Sequence, residues 1–163
     1  KHELKSGEMI DELLRPLKFS NEIIKEVTFL VRNHMICKTW GYECENMKDK
    51  KLRRLQYECK TEERFRNLMT IIDADNKAHA ADKCMPKQVE LILRRTETMK
   101  AESSAMFGYK LPLTGKEIMD LKGIKPGPGV KECLDYLLKI AFANPLREKE
   151  EFVKHLLEYQ LQK

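Results

Sequence analysis

The chain lacks the features that would staple it, anchor it or arm it with a compact catalytic motif. Its five cysteines (Cys37, Cys44, Cys59, Cys84, Cys133) are odd in number and scattered, with no CxxC pair. That excludes a disulfide framework and the paired thiolate spacings of zinc sites, and leaves reduced thiols. No apolar run approaches the roughly 18 residues a membrane helix needs. The start, Lys1 to Asp11, is polar rather than signal-like, so a cytoplasmic protein without a membrane partner is expected. Aromatics are few, no Gly/Ser-rich tract interrupts the chain, and no short apolar/polar alternation is bounded by hairpin turns, so no strand is expected. There is no HExxH, no adjacent His-Asp pair and no Ser or Cys nucleophile with an activating context, which argues against catalysis within these residues.

What is present is helical. The 163 residues, 42% hydrophobic and 35% charged, suffice for one ordinary domain or a domain with a small appendage. Ile10, Leu13, Leu14 and Leu17 share one helix face, giving a first helix from His2 to Leu17. Ser20 is an N-cap for a second helix, Asn21 to Ile36, whose apolar stripe runs through Ile23, Ile24, Val27, Leu30 and Val31. Cys37 to Lys48 has no sustained period and reads as a loop. A basic helix, Asp49 to Glu58, breaks at Lys60. Thr61, Glu62 and Glu63 then start a fourth helix that buries Phe65, Leu68, Met69 and Ile72 and ends near Ala81. Pro86 opens a fifth, reaching about Ala105.

The clearest boundary is Met106 to Leu113. Thr114 and Glu117 have capping-box spacing, so a short helix from Gly115 to Lys122 follows. The run Gly123 to Gly129 is the densest in glycine and proline. Val130, Cys133, Leu134, Leu137 and Ala141 then form a helical stripe that Asn144-Pro145 ends, and a last helix spans Arg147 to Leu161. The expected fold is all-α: a helical body over 1–104, a linker over 105–113 and a small tail over 114–163.

Three constellations carry chemical meaning. His34, Asp75 and His79 continue apolar helix faces, as either metal ligands or hydrogen-bonded core groups. Around the glycine turn, Lys122, Lys125 and Lys131 flank Gly127 and Gly129. That arrangement reads equally as a phosphate clamp of the helix-hairpin-helix type or as a tight interhelical turn, because its prolines remove backbone donors. Basic surface is concentrated in Lys50, Lys51, Arg53 and Arg54 and again in Arg94 and Arg95. Each cluster alone reads as a solvated face, and together they make RNA the leading partner. The net charge of +5 permits such a partner without demanding it.

The order of several short stretches carries a resemblance. His2-Glu3, then Gly7-Glu8-Met9, then Leu13 through Asn21 (LLRPLKFSN) look like an "HE…GA…LxRLxFSN" stretch. Leu30 to Met35, with Arg32 and His34 inside it, is similar to "LVxxHM". Arg53-Arg54-Leu55 with Leu68 to Asp75 looks like "RRL…DLxxLxxAD", and Lys110 to Met119 looks like "PxxGxEIM". Together they resemble the C-terminal part of the class II tRNA nucleotidyltransferase and bacterial poly(A) polymerase family, in the subgroup whose body includes an HD-type helical domain.

The resemblance implies a helical body, akin to the latter part of an HD-type domain, and a tail. Together these hold the tRNA elbow or another RNA, while a separate N-terminal head binds NTP and Mg2+. The family's Gly-Ser head motif with paired aspartates, its nucleotide-selecting Asp/Arg segment and the HD dyad upstream of His2 are not in this sequence. With no initiating Met, these residues are expected to come from a longer polypeptide. No cofactor is expected on them. The RNA-binding candidates are therefore Arg32, Lys50, Lys51, Arg53, Arg54, Arg94, Arg95, Lys122, Lys125, Gly127, Gly129 and Lys131. Two alternatives stay open: a remnant HD-type metal-dependent phosphohydrolase using His2, His34, Asp73 or Asp75, with His79 a further metal candidate, and a structural module that forms homo-oligomers.

Overall fold

A computed structural model describes residues 2–80 and 83–161, with the side chains of His2 and Asp11 outside the description. The fold is all-α. Among the described residues there are eight α-helices and one 3₁₀ turn, and no strand. The helices are α1 (His2–Leu14), α2 (Asn21–Asn33), α3 (Asp49–Cys59), α4 (Glu62–Ala78), α5 (Gln88–Ala101), α6 (Gly115–Lys122), α7 (Pro128–Ala143) and α8 (Lys149–Glu158). None is long and apolar enough to cross a membrane among the residues described.

Local chemistry explains most boundaries. α1 stops at Leu14, three residues before the expected end, because the residue preceding Pro16 is disfavoured in helical geometry. The chain then closes a turn in which the Lys18 N–H donates to Arg15 O. Ser20 Oγ accepts from the Ile23 N–H and caps α2, which ends at Asn33 rather than Ile36. α5 begins two residues after Pro86. α4 ends at Ala78, and the expected end at Ala81 lies outside the described residues. The expected loop after α2 contains the 3₁₀ turn Lys38–Trp40, with Trp40 buried.

The helices form two compact units: Lys1–Met47 with Glu62–Arg95, and Lys48–Thr61 with Thr96–Lys163. This differs from the expected division at 105–113, because α3 groups with the C-terminal helices and α5 runs from the first unit into the second.

In the first unit α1 packs along α2, and α2 against α4. Arg64 of α4 reaches α2, donating to the Glu26 carboxylate at 2.6 Å while its guanidinium lies 5.0 Å from the Phe29 ring centre. A buried polar chain fixes the loop after α2. The Gln88 amide donates to Cys37 O and Gly41 O at 3.1 and 2.7 Å, and its oxygen accepts from Asn76 at 3.1 Å. Asn76 in turn accepts from Lys38 at 3.0 Å.

In the second unit the core comprises Met106, Leu113, Ile118, Cys133, Leu137, Ala141, Phe142, Phe152 and Leu156. Thr114 and Glu117 form the expected capping box at the start of α6, and Gly123 closes it in left-handed geometry at φ 63°. α8 ends where Tyr159 stacks on Tyr136 at 4.0 Å and donates to Glu132 at 2.7 Å. That hydrogen bond, with burial, pushes the Tyr159 phenol up to about 12. Cys37, Cys44, Cys59 and Cys133 are buried free thiols, and Cys84 is half-buried.

Candidate nucleic-acid interface

The basic helix α3 has two chemically distinct faces. Leu52, Leu55, Gln56 and Cys59 are fully or almost fully buried. Lys50, Lys51, Arg54, Tyr57 and Glu58 fall on the other side at i, i+1, i+4, i+7 and i+8 spacing, and all five line a groove. α7 supplies the opposite wall with Asp135, Leu138, Lys139 and Phe142, again at i, i+3, i+4 and i+7. Lys48 is also part of the lining, and the groove has a volume of about 650 Å³.

The groove is lined by both charged and apolar side chains. Lys48, Lys50, Lys51, Arg54 and Lys139 face Glu58 and Asp135, a formal excess of three positive charges. Tyr57, Leu138 and Phe142 are its apolar lining. The Tyr57 ring meets Phe142 edge-on, with centroids 5.6 Å apart and planes at 63°, so packing holds it in place. Arg54 is exposed and pairs with Glu58 at 2.7 Å along its own helix. Lys50 and Lys51 are exposed.

Arg53, expected on the same nucleic-acid surface, is instead 9% exposed. Its guanidinium donates to Ser104 O, Phe142 O and Ala143 O at 3.2, 3.2 and 3.0 Å. The last two are orphan carbonyls at the C-terminal end of α7, where a cation is favoured. Arg53 is therefore a clamp on the fold, and one helical step separates it from the outward Arg54. Lys122 is likewise turned to structure: half-buried, its ammonium donates to Tyr159 O at 2.8 Å.

The glycine turn has the geometry of an interhelical connection. Gly127 stands at the N-cap of α7 without a side-chain cap, Pro128 at the first position has no N–H, and the Val130 N–H is bound to Gly127 O at 3.1 Å. Gly129 lies beside Ile124 and Leu161, and Lys125 and Lys131 are exposed. The remaining basic candidates fall in the first unit. Arg94 is exposed and pairs with Glu90 at 2.8 Å, and Arg95 is half-buried. Arg32 lays its side chain over Gly7, where an added Cβ would come within 2.4 Å of its Cγ.

Among the described residues no three His, Cys, Asp or Glu side chains form a group able to hold a metal ion. Asp75 faces the Lys38 ammonium at 2.8 Å and His79 at 3.5 Å. Burial raises the Asp75 carboxyl, but the Lys38 hydrogen bond and charge, with His79 and His34, outweigh it and hold the group below its ordinary value. Asp73 pairs instead with Lys77 at 2.6 Å, and His34 Nδ1 lies 2.6 Å from Val31 O. The His2 side chain lies outside the described residues.

Sequence reasoning missed Lys48, Lys139, Tyr57 and Leu138 as members of one groove. The i+3/i+4 spacing on α7 marks a face, but nothing in the linear pattern pairs that face with α3. Comparisons with protein-family models, with curated proteins and with solved structures found no match to this chain.

Proposed function

We propose that this chain is an RNA-binding helical region, with tRNA as the leading partner, that supports 3′-end nucleotide addition by a nucleotidyltransferase head. The observation that carries the RNA reading is the α3–α7 groove, with five cationic side chains in its lining against two carboxylates. Such a cluster neutralises phosphates and releases their counterions. The link to nucleotide addition rests on the resemblance of the HE…FSN, LVxxHM, RRL and GxEIM stretches to the tRNA nucleotidyltransferase and poly(A) polymerase family. NTP and Mg2+ belong, on that reading, to the head, and no residue here is assigned to them. The phosphohydrolase alternative draws less support, since Asp75 faces Lys38 and Asp73 faces Lys77.

Fluorescence anisotropy with a labelled tRNA across a salt series tests this. Binding at low salt should weaken linearly on a log–log plot, and Lys50→Glu with Lys51→Glu should lower both affinity and slope. No tRNA binding at about 50 mM salt, where phosphate contacts are strong, defeats the reading.

A further inference from the structure

Resting on the RNA-binding reading, we propose that the α3–α7 groove takes an unpaired nucleotide of a single strand. The base lies on the Tyr57 and Leu138 floor, and the flanking phosphates lie against Lys50, Lys51 and Lys139. A duplex backbone needs only cations on an accessible surface, because A-form bases are stacked inside and present no free face. Aromatic and apolar side chains that share one groove with cations serve a different ligand, one with a flat π-face between two phosphates.

The floor is suited to that ligand. Tyr57 is half-buried and held edge-on by Phe142, so little side-chain freedom remains to be lost on stacking. Leu138, also half-buried, extends the floor from the α7 side. The groove volume of about 650 Å³ falls within the roughly 300–1,000 Å³ typical of small-ligand sites, ample for a nucleoside. The charge excess matches two or three phosphates. An amphipathic acidic peptide would share the charge complementarity, but helix-in-groove binding relies on anchors spread over two turns or more. Here the apolar floor is confined to Tyr57, Leu138 and the mostly covered Phe142.

The test compares anisotropy of a labelled single-stranded RNA octamer, a blunt RNA duplex with the same number of phosphates, and an acidic amphipathic peptide, all on the full chain. Tyr57→Leu keeps apolar contact with Phe142 but removes the stacking face. It should weaken the octamer about tenfold and the duplex less than about twofold. Lys51→Glu with Lys139→Glu should weaken the octamer and lower its salt slope by about 0.7 for each phosphate that is no longer neutralised.

Equal loss on octamer and duplex, or no loss on either, overturns the base platform. If tRNA still binds in a Lys51-dependent manner, the broader RNA reading survives. An acidic peptide that binds tighter than the octamer and displaces it also overturns the proposal. Because Tyr57 packs in the fold, an independent measurement uses the unmodified chain and a 4-thiouridine octamer. Photo-crosslinks mapping to Tyr57 or Leu138 support the platform, and crosslinks confined to the first unit refute it.

Discussion

Arg53 donates from one guanidinium nitrogen to both Phe142 O and Ala143 O, at 3.2 and 3.0 Å, joining the middle of α3 to the last turn of α7. With Ser104 O at 3.2 Å it serves three buried or part-buried carbonyls. Hydrogen bonds to a charged group contribute about 1.5–3 kcal/mol each, and removing the donor leaves its acceptors unsatisfied. Arg53→Met should therefore cost about 2–4 kcal/mol in urea denaturation followed by circular dichroism. Arg54→Met, one residue along but exposed, should cost less than about 1 kcal/mol.

The Gln88 amide offers a parallel case in the first unit. It is fully buried, and it links Cys37 O, Gly41 O and the Asn76 amide. Gln88→Leu preserves approximate volume but withdraws the shared partner, and a buried polar group left unpaired costs about 1–3 kcal/mol. A drop of about 2–4 kcal/mol in unfolding free energy is expected. Lys87→Met, at the adjacent exposed position, should change stability by less than about 0.5 kcal/mol.

Acid should undo the start of α6. The hydrogen bond from Lys149, with those from the Thr114 backbone and hydroxyl, holds the Glu117 carboxyl at about 2 against an ordinary 4.5. A folded pKa below the unfolded one means the contribution is complete above about pH 4.5 and lost as pH falls towards 2. Thermal melts of Glu117→Gln should lie below those of the parent chain at pH 7 and converge with them near pH 2. A constant gap across that window would show that the charge is not responsible.

Two glycines of the 123–129 run should respond oppositely to alanine. Gly123 sits at φ 63° with open space within 4 Å of where a Cβ would stand, so Gly123→Ala meets a purely backbone penalty of about 1–2 kcal/mol. Gly129 is in the first turn of α7, and its Cβ would make ordinary contacts at 3.6–3.7 Å with Leu161 and Ile124. Gly129→Ala should be neutral or stabilising by up to about 1 kcal/mol, as at other compatible helical sites. Unchanged tRNA affinity in Gly129→Ala is expected if this segment is only a turn. A loss of affinity with stability kept would favour the phosphate-clamp reading.

The elements themselves are legible in the chain. Ser20, the Thr114/Glu117 pair, Gly123 and Pro128 act through neighbours within four residues, so spacing alone locates the helix ends they define. Apolar periodicity likewise places Phe65, Leu68, Met69 and Ile72 inward on α4. The site is legible only in part: Lys50, Lys51 and Arg54 stand out as basic surface, while Lys139 and the Tyr57–Leu138 floor do not.

The α3 helix shows why. In sequence it lies between two helices of the first unit, and it reads as one basic cluster belonging to a body over 1–104. Helical periodicity predicts which side of α3 is buried, but not which distant segment buries it. Only the tertiary structure brings α7 alongside, and that meeting turns Arg53 inward onto backbone carbonyls while leaving Lys50, Lys51 and Arg54 on the groove. Local hydrogen bonds and side-chain periodicity thus determined the helices. The unit boundary and the division of labour between Arg53 and Arg54 depend on residues about ninety positions apart, which no local pattern encodes.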